Sequence, residues 1–223
     1  MINIFSRDQL ASLHKVPNAM IIDMSYSSTS MTSCLSPYFP WGNIPVPFST
    51  GIVAQSAMAI WEGLKVFEFG GVDISVFSYR LKEDLNRASL GLGNLIGYSR
   101  GMNYDYIYNE DEAYNQIFIP TYQWILEHRA FKIIQLLRHY LRENIILIDN
   151  PKEIIPNQLT PSTLLKAYVL GETPYNDVIQ KDIISHYYCG KKIISWQTIK
   201  YKFKSIPPET SIAKDGVIEF DFL

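Results

Sequence analysis

The chain has 223 residues, of which 47% are hydrophobic, and its formal net charge is −2 at pH 7. This length and apolar content suffice for one substantial core, so the sequence predicts a single domain. The charge excludes a general attraction to nucleic acid, no apolar run reaches the length of a membrane span, and two cysteines give no disulfide framework. The first ten residues lack a signal-peptide core, so we expect a cytoplasmic protein with no membrane partner.

The N-terminal part predicts one helix and one strand, followed by a polar loop. Ser6 can cap a helix over residues 7–15, which must stop before Pro17. Residues 21–25 have the apolar character of a strand, and a run of serines and threonines follows them.

The most informative stretch is residues 34–68, and its first part, residues 34–48, is called the aromatic loop below. Four prolines remove backbone donors there and favour extended geometry. Four aromatic residues lie among the prolines: Tyr38, Phe39, Trp41 and Phe48. A loop stiffened in this way loses little entropy when a ligand binds, so it can form a wall for a planar ligand.

The second part of the stretch predicts a helix. Ser49 or Thr50 is the expected N-cap, and apolar residues recur at helical spacing from Val53 to Phe67.

Met58, Glu62 and Lys65 share a second stripe of this predicted helix, because their spacing is i, i+4, i+7. The stripe combines a possible acid or base with a possible nucleophile. The alternative is a surface salt bridge between Glu62 and Lys65, which contributes only a few tenths of a kcal/mol, roughly.

The remaining elements predict a fold of the α+β class, a mainly helical single domain with a few short strands. We expect strands at residues 72–77 and 145–149, and helices at 110–128 (bent by Pro120), 131–143 and 162–170. Thr160-Pro161 and Gly171 give the last helix clear start and stop signals. The glycines at 91, 93 and 97 do not fit the dinucleotide-binding fingerprint.

Two motifs in the 34–68 stretch resemble the NADAR family. They are L-S-P-Y-F-P at residues 35–40 and S-x-x-x-x-W-E-G-L-K-V-F at residues 56–67. The resemblance implies one NADAR-like domain over residues 1–223, most similar over 34–172, with a lysine- and aromatic-rich extension at 173–223. NADAR proteins hydrolyse N-glycosidic bonds, several remove ADP-ribose from guanine in DNA, and some bacteriophages carry one against toxins that ADP-ribosylate DNA.

Carried over residue by residue, the resemblance points to a catalytic pair. Residues 36–40 match the family's loop, Ser56 its Ser/Thr, and Lys65 its helix lysine. Two departures are clear: Met58 stands where the family has Glu, and Glu62 stands where it has Gln. The resemblance therefore implies Lys65 and Glu62 as catalytic residues, or a protein that has lost its acid.

The expected ligand-binding residues lie in the aromatic loop, the helix and a second block near residue 120. They are Ser36, Tyr38, Phe39, Trp41, Gly42, Asn43, Trp61 and Tyr122. Tyr38 and Trp41 can stack on a base. Core packing is the competing role for Trp61, which lies on the apolar helix face, whereas Tyr122 has a hydroxyl that a phosphate or ribose could use.

A C-terminal segment, K-Y-K-F-K, predicts a strand with Lys200, Lys202 and Lys204 on one face. Three aligned lysines can follow a nucleic-acid backbone, or they can protect an exposed sheet edge from aggregation. The four histidines lack ligand spacing, so we expect no metal site, and we expect no cofactor.

The leading hypothesis from the sequence is a hydrolase that removes ADP-ribose from guanine bases in DNA, in the host-cell cytoplasm if a phage encodes it. The first alternative is an N-glycosidase acting on a free, nucleotide-like small molecule. The second is a non-enzymatic protein that binds ADP-ribose, because Met58 replaces the family's acid. The oligomeric state is not predicted.

Overall fold

The computed structural model describes residues 1–9, 19–103, 105–150, 153 and 155–172, and it has the predicted α+β class. The strands are β1 (Ile2–Ser6), β2 (Ala19–Asp23), β3 (Ile44–Pro45), β4 (Val53–Ala54), β5 (Lys65–Phe67), β6 (Leu95–Ser99), β7 (Ile107–Tyr108) and β8 (Asn144–Asp149). The α-helices are α1 (Ala57–Gly63), α2 (Lys82–Arg87), α3 (Glu110–Ala113), α4 (Ile119–His128), α5 (Phe131–His139) and α6 (Pro161–Leu170). No helix in this part of the chain is long and apolar enough to cross a membrane.

A three-stranded parallel sheet contains the most buried strand of the fold. Its order is β1-β8-β2, with Ile2 opposite Ile145 and Ala19 opposite Asn144. Residues 145–148 are all buried, as expected for a central parallel strand covered on both faces. The carboxyl ends of all three strands therefore meet at one edge, which presents Asp149 and the residues that follow β1 and β2.

Two smaller antiparallel units complete the strand structure. β3 and β4 form a short ribbon, and β5, β6 and β7 form a sheet in that order. Lys65 lies opposite Tyr98 in the β5–β6 pair. This pairing fixes the chain immediately after α1.

The prediction of a helix continuing to Phe67 is wrong, because α1 ends at Gly63. The Leu64 carbonyl accepts a hydrogen bond from the Ser99 amide at 2.8 Å, and the next three residues pair with β6. The predicted caps, residues 49 and 50, are also wrong: Ser56 caps α1 by accepting from the Ala59 amide. Glu62 and Lys65 therefore lie on a helix and on the strand that follows it.

Other boundaries differ for local reasons. The predicted strand at residues 72–77 is a 3-10 helix, Ile74–Ser78, because the Asp73 carboxylate accepts from the Ser75 amide and hydroxyl. The predicted bend near Pro120 takes the form of a π-helix, Tyr114–Phe118, that leads into α4. Proline has no amide hydrogen to donate, so it suits this first turn.

Several predictions are confirmed closely. The strand at 145–149 is β8, and α6 has its N-cap at Thr160 and a left-handed Gly171 at its end. The expected helix over residues 7–15 lies largely outside the described residues. Within them, Arg7–Gln9 forms a single 3-10 turn after β1, a strand that the sequence analysis missed.

Candidate functional site

Glu62 and Lys65 form a close ion pair. The Lys65 Nζ atom lies 2.7 Å from Glu62 Oε2 and 2.8 Å from Oε1, so the ammonium donates to both carboxylate oxygens. The side chains are only 18% and 14% exposed, so the pair is half-buried and not a fully solvated surface bridge. The end of α1 and the start of β5 place the two groups together although the predicted continuous helix does not exist.

A second ion pair joins elements that are distant in sequence. Lys82 Nζ lies 3.2 Å from Glu153 Oε1, and the two side chains are 17% and 7% exposed. Glu153 also accepts from the Tyr26 amide at 2.9 Å and from the Asn150 side-chain amide at 3.1 Å. Because these partners come from α2, from the loop after β2 and from the loop after β8, the pair lies at the carboxyl edge of the parallel sheet.

Tyr38 packs against the lysine of the second ion pair. Lys82 Nζ stands over its ring, 4.6 Å from the centroid, and the Tyr26 ring packs against it at 6.0 Å. Burial chiefly, and then the charges of Glu62 and Glu153, raise the pKa of the Tyr38 hydroxyl well above its usual range. The same two carboxylates thus act on one phenol. We call Tyr38, Glu62, Lys65, Lys82 and Glu153 the paired-charge site.

Most of the aromatic loop packs against the core and is held by hydrogen bonds. Ser36 is buried, and its hydroxyl accepts from the Tyr38 amide at 3.3 Å. The Trp41 indole N–H donates to the Cys34 carbonyl at 2.9 Å, and its ring contacts Phe39 edge-on at 5.0 Å. Phe39 and Trp41 are half-buried against the core, so only parts of their rings face solvent.

Gly42 and Asn43 form a turn in the left-handed region, with φ of 73° and 50°. The Gly42 carbonyl accepts from Arg129 Nη2 at 3.0 Å, which ties the turn to the end of α4. Asn43 is exposed at the tip of this turn.

The structure places Trp61 and Tyr122 in the core. Trp61 is buried against the rings of Tyr98, Tyr114 and Phe118, with the nearest centroid at 4.1 Å. The buried Tyr122 hydroxyl donates to the Leu35 carbonyl at 2.7 Å, so its polar group already has a partner. Both placements correct the expectation of ligand contact and favour the core-packing role for Trp61.

The remaining predicted positions are either in the core or outside the described residues. Met58 is 4% exposed and belongs to the core. The lysines expected to contact a nucleic-acid backbone, Lys200, Lys202 and Lys204, lie outside the described residues. The described part of the chain holds no group of three or more His, Cys, Asp or Glu side chains placed to bind a metal ion.

Sequence reasoning missed Lys82, Glu153 and Tyr98 as members or neighbours of this site. Tyr98 lies opposite Lys65 in the sheet and is buried, and burial, then Glu110 and Glu62, raise the pKa of its hydroxyl. One signal was available for Glu153: it closely follows a buried strand predicted from the sequence, and ligands bind at the carboxyl ends of such strands in parallel sheets. Lys82 carried no comparable signal.

The arrangement is suited to proton transfer and to binding a polar ligand. Glu62 contacts the Lys65 ammonium through both oxygens, so a proton can pass directly between them. A carboxylate at this point can also stabilise positive charge that develops on a sugar. The site combines four charged groups of balanced sign with a buried phenol that keeps its proton.

Comparison with known proteins identifies a family. A family model described as a family of unknown function, DUF6939, matches residues 5–162. No curated protein and no solved structure matches the chain. The matched residues include all five members of the paired-charge site, the aromatic loop and strands β2 and β8 of the parallel sheet. Since they make up well over half of the chain, the protein belongs to the DUF6939 family.

Proposed function

We propose that this protein is a hydrolase that cleaves the N-glycosidic bond between ADP-ribose and a guanine base in DNA. The observation that carries the proposal is the half-buried contact of the Lys65 ammonium with both carboxylate oxygens of Glu62. The NADAR-like motifs at residues 35–40 and 56–67 supply the reaction class and the substrate, and both residues of the pair lie within the second motif.

The reaction can be written with these two residues. Glu62 accepts a proton from the Lys65 ammonium, which frees the amine as a nucleophile. The Lys65 nitrogen bonds to the anomeric carbon as the bond to guanine breaks, and Glu62 returns the proton to the departing guanine nitrogen. The C1′–O4′ bond of the ribose then breaks as the Lys65 nitrogen gives a proton to O4′, which leaves a protonated Schiff base between Lys65 and C1′. Water adds to this carbon and the C–N bond breaks, which releases ADP-ribose and the free lysine.

The direct test is to incubate the protein with a guanine-ADP-ribosylated oligonucleotide and to follow its mass. We expect restored guanine and released ADP-ribose with the wild type, and no turnover with Lys65→Ala. Borohydride added during turnover should attach ADP-ribose to residue 65 by reducing the Schiff base. Full activity in Lys65→Ala would refute the nucleophile role. Lys132, an exposed lysine on α5, provides the control variant Lys132→Ala.

A second candidate function is binding of ADP-ribose without turnover. The observation that favours it is the burial of Met58 in the core, which leaves no carboxylate at the helix position where NADAR proteins have their acid. In that case the wild type should bind ADP-ribose in a one-to-one ratio and leave the modified oligonucleotide unchanged. Mass spectrometry and calorimetry on one preparation separate the two candidates.

A further inference from the structure

The Tyr38 side chain combines a buried ring with a hydroxyl that has no hydrogen-bond partner among the residues the structure describes. Tyr38 is 8% exposed, and its hydroxyl makes no hydrogen bond to any described residue. The hydroxyl oxygen is not fully enclosed, so it keeps some contact with solvent. In contrast, the buried tyrosines Tyr114 and Tyr122 donate their hydroxyls to the carbonyls of Leu159 and Leu35. The Tyr38 hydroxyl thus remains available to a ligand.

The ring of Tyr38 is held in place from several sides. Lys82 Nζ covers one part of the ring at 4.6 Å, and Tyr26 packs against it at 6.0 Å. The Tyr38 amide is bonded to the Ser36 hydroxyl, and the adjacent Pro37 carbonyl accepts from the first turn of α1. These contacts leave no open ring face of useful size for base stacking, and they fix the direction of the hydroxyl.

The charges around the hydroxyl favour a neutral, hydroxyl-bearing ligand group. Glu62 and Glu153 both act on the phenol, whose pKa burial and these charges raise, so it remains a hydrogen-bond donor at neutral pH. A phosphate brought to the same point would meet no net positive charge, because Lys65 and Lys82 are each paired with a carboxylate. A sugar hydroxyl can accept from the phenol and donate to a carboxylate, so all three groups can be satisfied at once.

We infer that the Tyr38 hydroxyl donates a hydrogen bond to a hydroxyl of the ligand's terminal ribose, which lies beside the Lys82–Glu153 pair. The inference rests on the proposed function and assigns one part of ADP-ribose to one part of the site. It replaces a stacking role for the Tyr38 ring with a hydrogen-bonding role for its oxygen. The diphosphate and the adenine lie away from this point.

The test compares Tyr38→Phe with the wild type in calorimetric binding of ADP-ribose and of ADP, which lacks the terminal ribose. Phenylalanine keeps the packed ring and removes only the hydroxyl. We expect the Kd for ADP-ribose to rise about 5- to 10-fold, the scale of one lost hydrogen bond, with no change in the Kd for ADP or in the melting temperature. Tyr114→Phe is the matched control: it should lower the melting temperature and leave both Kd values unchanged.

Two results would overturn the inference while leaving the proposed function intact. An unchanged Kd for ADP-ribose in Tyr38→Phe would show that the hydroxyl does not contact the ligand. An equal loss of affinity for ADP and ADP-ribose would place the contact on the diphosphate or adenosine part. Failure of the wild type to bind ADP-ribose would instead refute the proposed function, and the inference with it.

Discussion

The ion pair between Glu62 and Lys65 permits a quantitative prediction about stability. Exposed ion pairs contribute about 0–1 kcal/mol, whereas breaking a buried pair costs about 3–5 kcal/mol. With side chains 14% and 18% exposed and contacts of 2.7 and 2.8 Å, this pair lies between the two classes. We therefore expect Glu62→Gln and Lys65→Met each to lower the free energy of unfolding by about 1–2 kcal/mol, because each leaves one charge unpaired.

The double variant, Glu62→Gln with Lys65→Met, should be less destabilised than the sum of the two single variants. The difference, the coupling energy, should be about 1–2 kcal/mol. Urea-induced unfolding followed by circular dichroism measures all four proteins under one set of conditions. The chain offers a matched control pair, Arg100 and Asp105, which are 3.9 Å apart with side chains 38% and 57% exposed. Its coupling energy should stay below about 0.5 kcal/mol.

Additive effects at Glu62 and Lys65, within about 0.3 kcal/mol, would show that the two charges are not coupled. Such a result would remove the geometric basis of the proposed proton transfer. The same four proteins test function independently of stability. If the pair is catalytic, the double variant should stay inactive even where its stability approaches that of the wild type.

Three further predictions concern other parts of the fold. Burial raises the pKa of the Asp149 carboxyl, so above the carboxyl's ordinary pKa the native state binds more protons than the unfolded state. This group therefore lowers the stability of the wild type as pH rises, whereas asparagine does not titrate. The melting temperature of Asp149→Asn relative to the wild type should increase between about pH 4 and pH 7. Burial raises the pKa of the Cys34 thiol to about 12, so in a Cys189→Ser background the native protein should react with a thiol reagent at pH 8 far more slowly than the urea-unfolded protein. Gly101→Ala should lower the free energy of unfolding by at least about 1 kcal/mol in the same urea assay. The reason is that φ is 70° at this residue and an added Cβ would lie 2.6 Å from the Phe48 carbonyl oxygen. An unchanged free energy of unfolding would contradict this close approach.

The sequence predicted correctly those helices and strands that short-range sequence signals determine. α6 follows from the Thr160-Pro161 start and the Gly171 stop, and β8 follows from an uninterrupted apolar run. The end of α1 could not be predicted in this way, because Lys65–Phe67 has helical spacing and becomes a strand only through pairing with β6. Similarly, β1 depends on pairing with a strand more than 140 residues away.

Only one of the two ion pairs of the candidate site could be predicted from the sequence. Glu62 and Lys65 are neighbours in sequence, so their spacing indicated contact even though the predicted helix was too long. Lys82 and Glu153 meet only because α2 packs near the carboxyl edge of the parallel sheet. Glu153 could be suspected from its position after a buried strand, but nothing local distinguishes Lys82 from a surface charge. Burial of Trp61 and Tyr122 likewise depends on the tertiary packing of α1 and α4.

The position of β8 has a consequence for the synthesis of the protein. β1 and β2 are translated before β8, and each pairs with β8 and not with the other. Among the strands that the structure describes, neither therefore has a partner until residues 144–149 have been translated. During that interval the nascent chain carries two apolar segments able to pair with other chains. In a polypeptide terminated before residue 144 both segments would stay unpaired, and we expect it to aggregate under conditions in which the full-length chain folds. The parallel sheet can therefore form only after β8 has been translated.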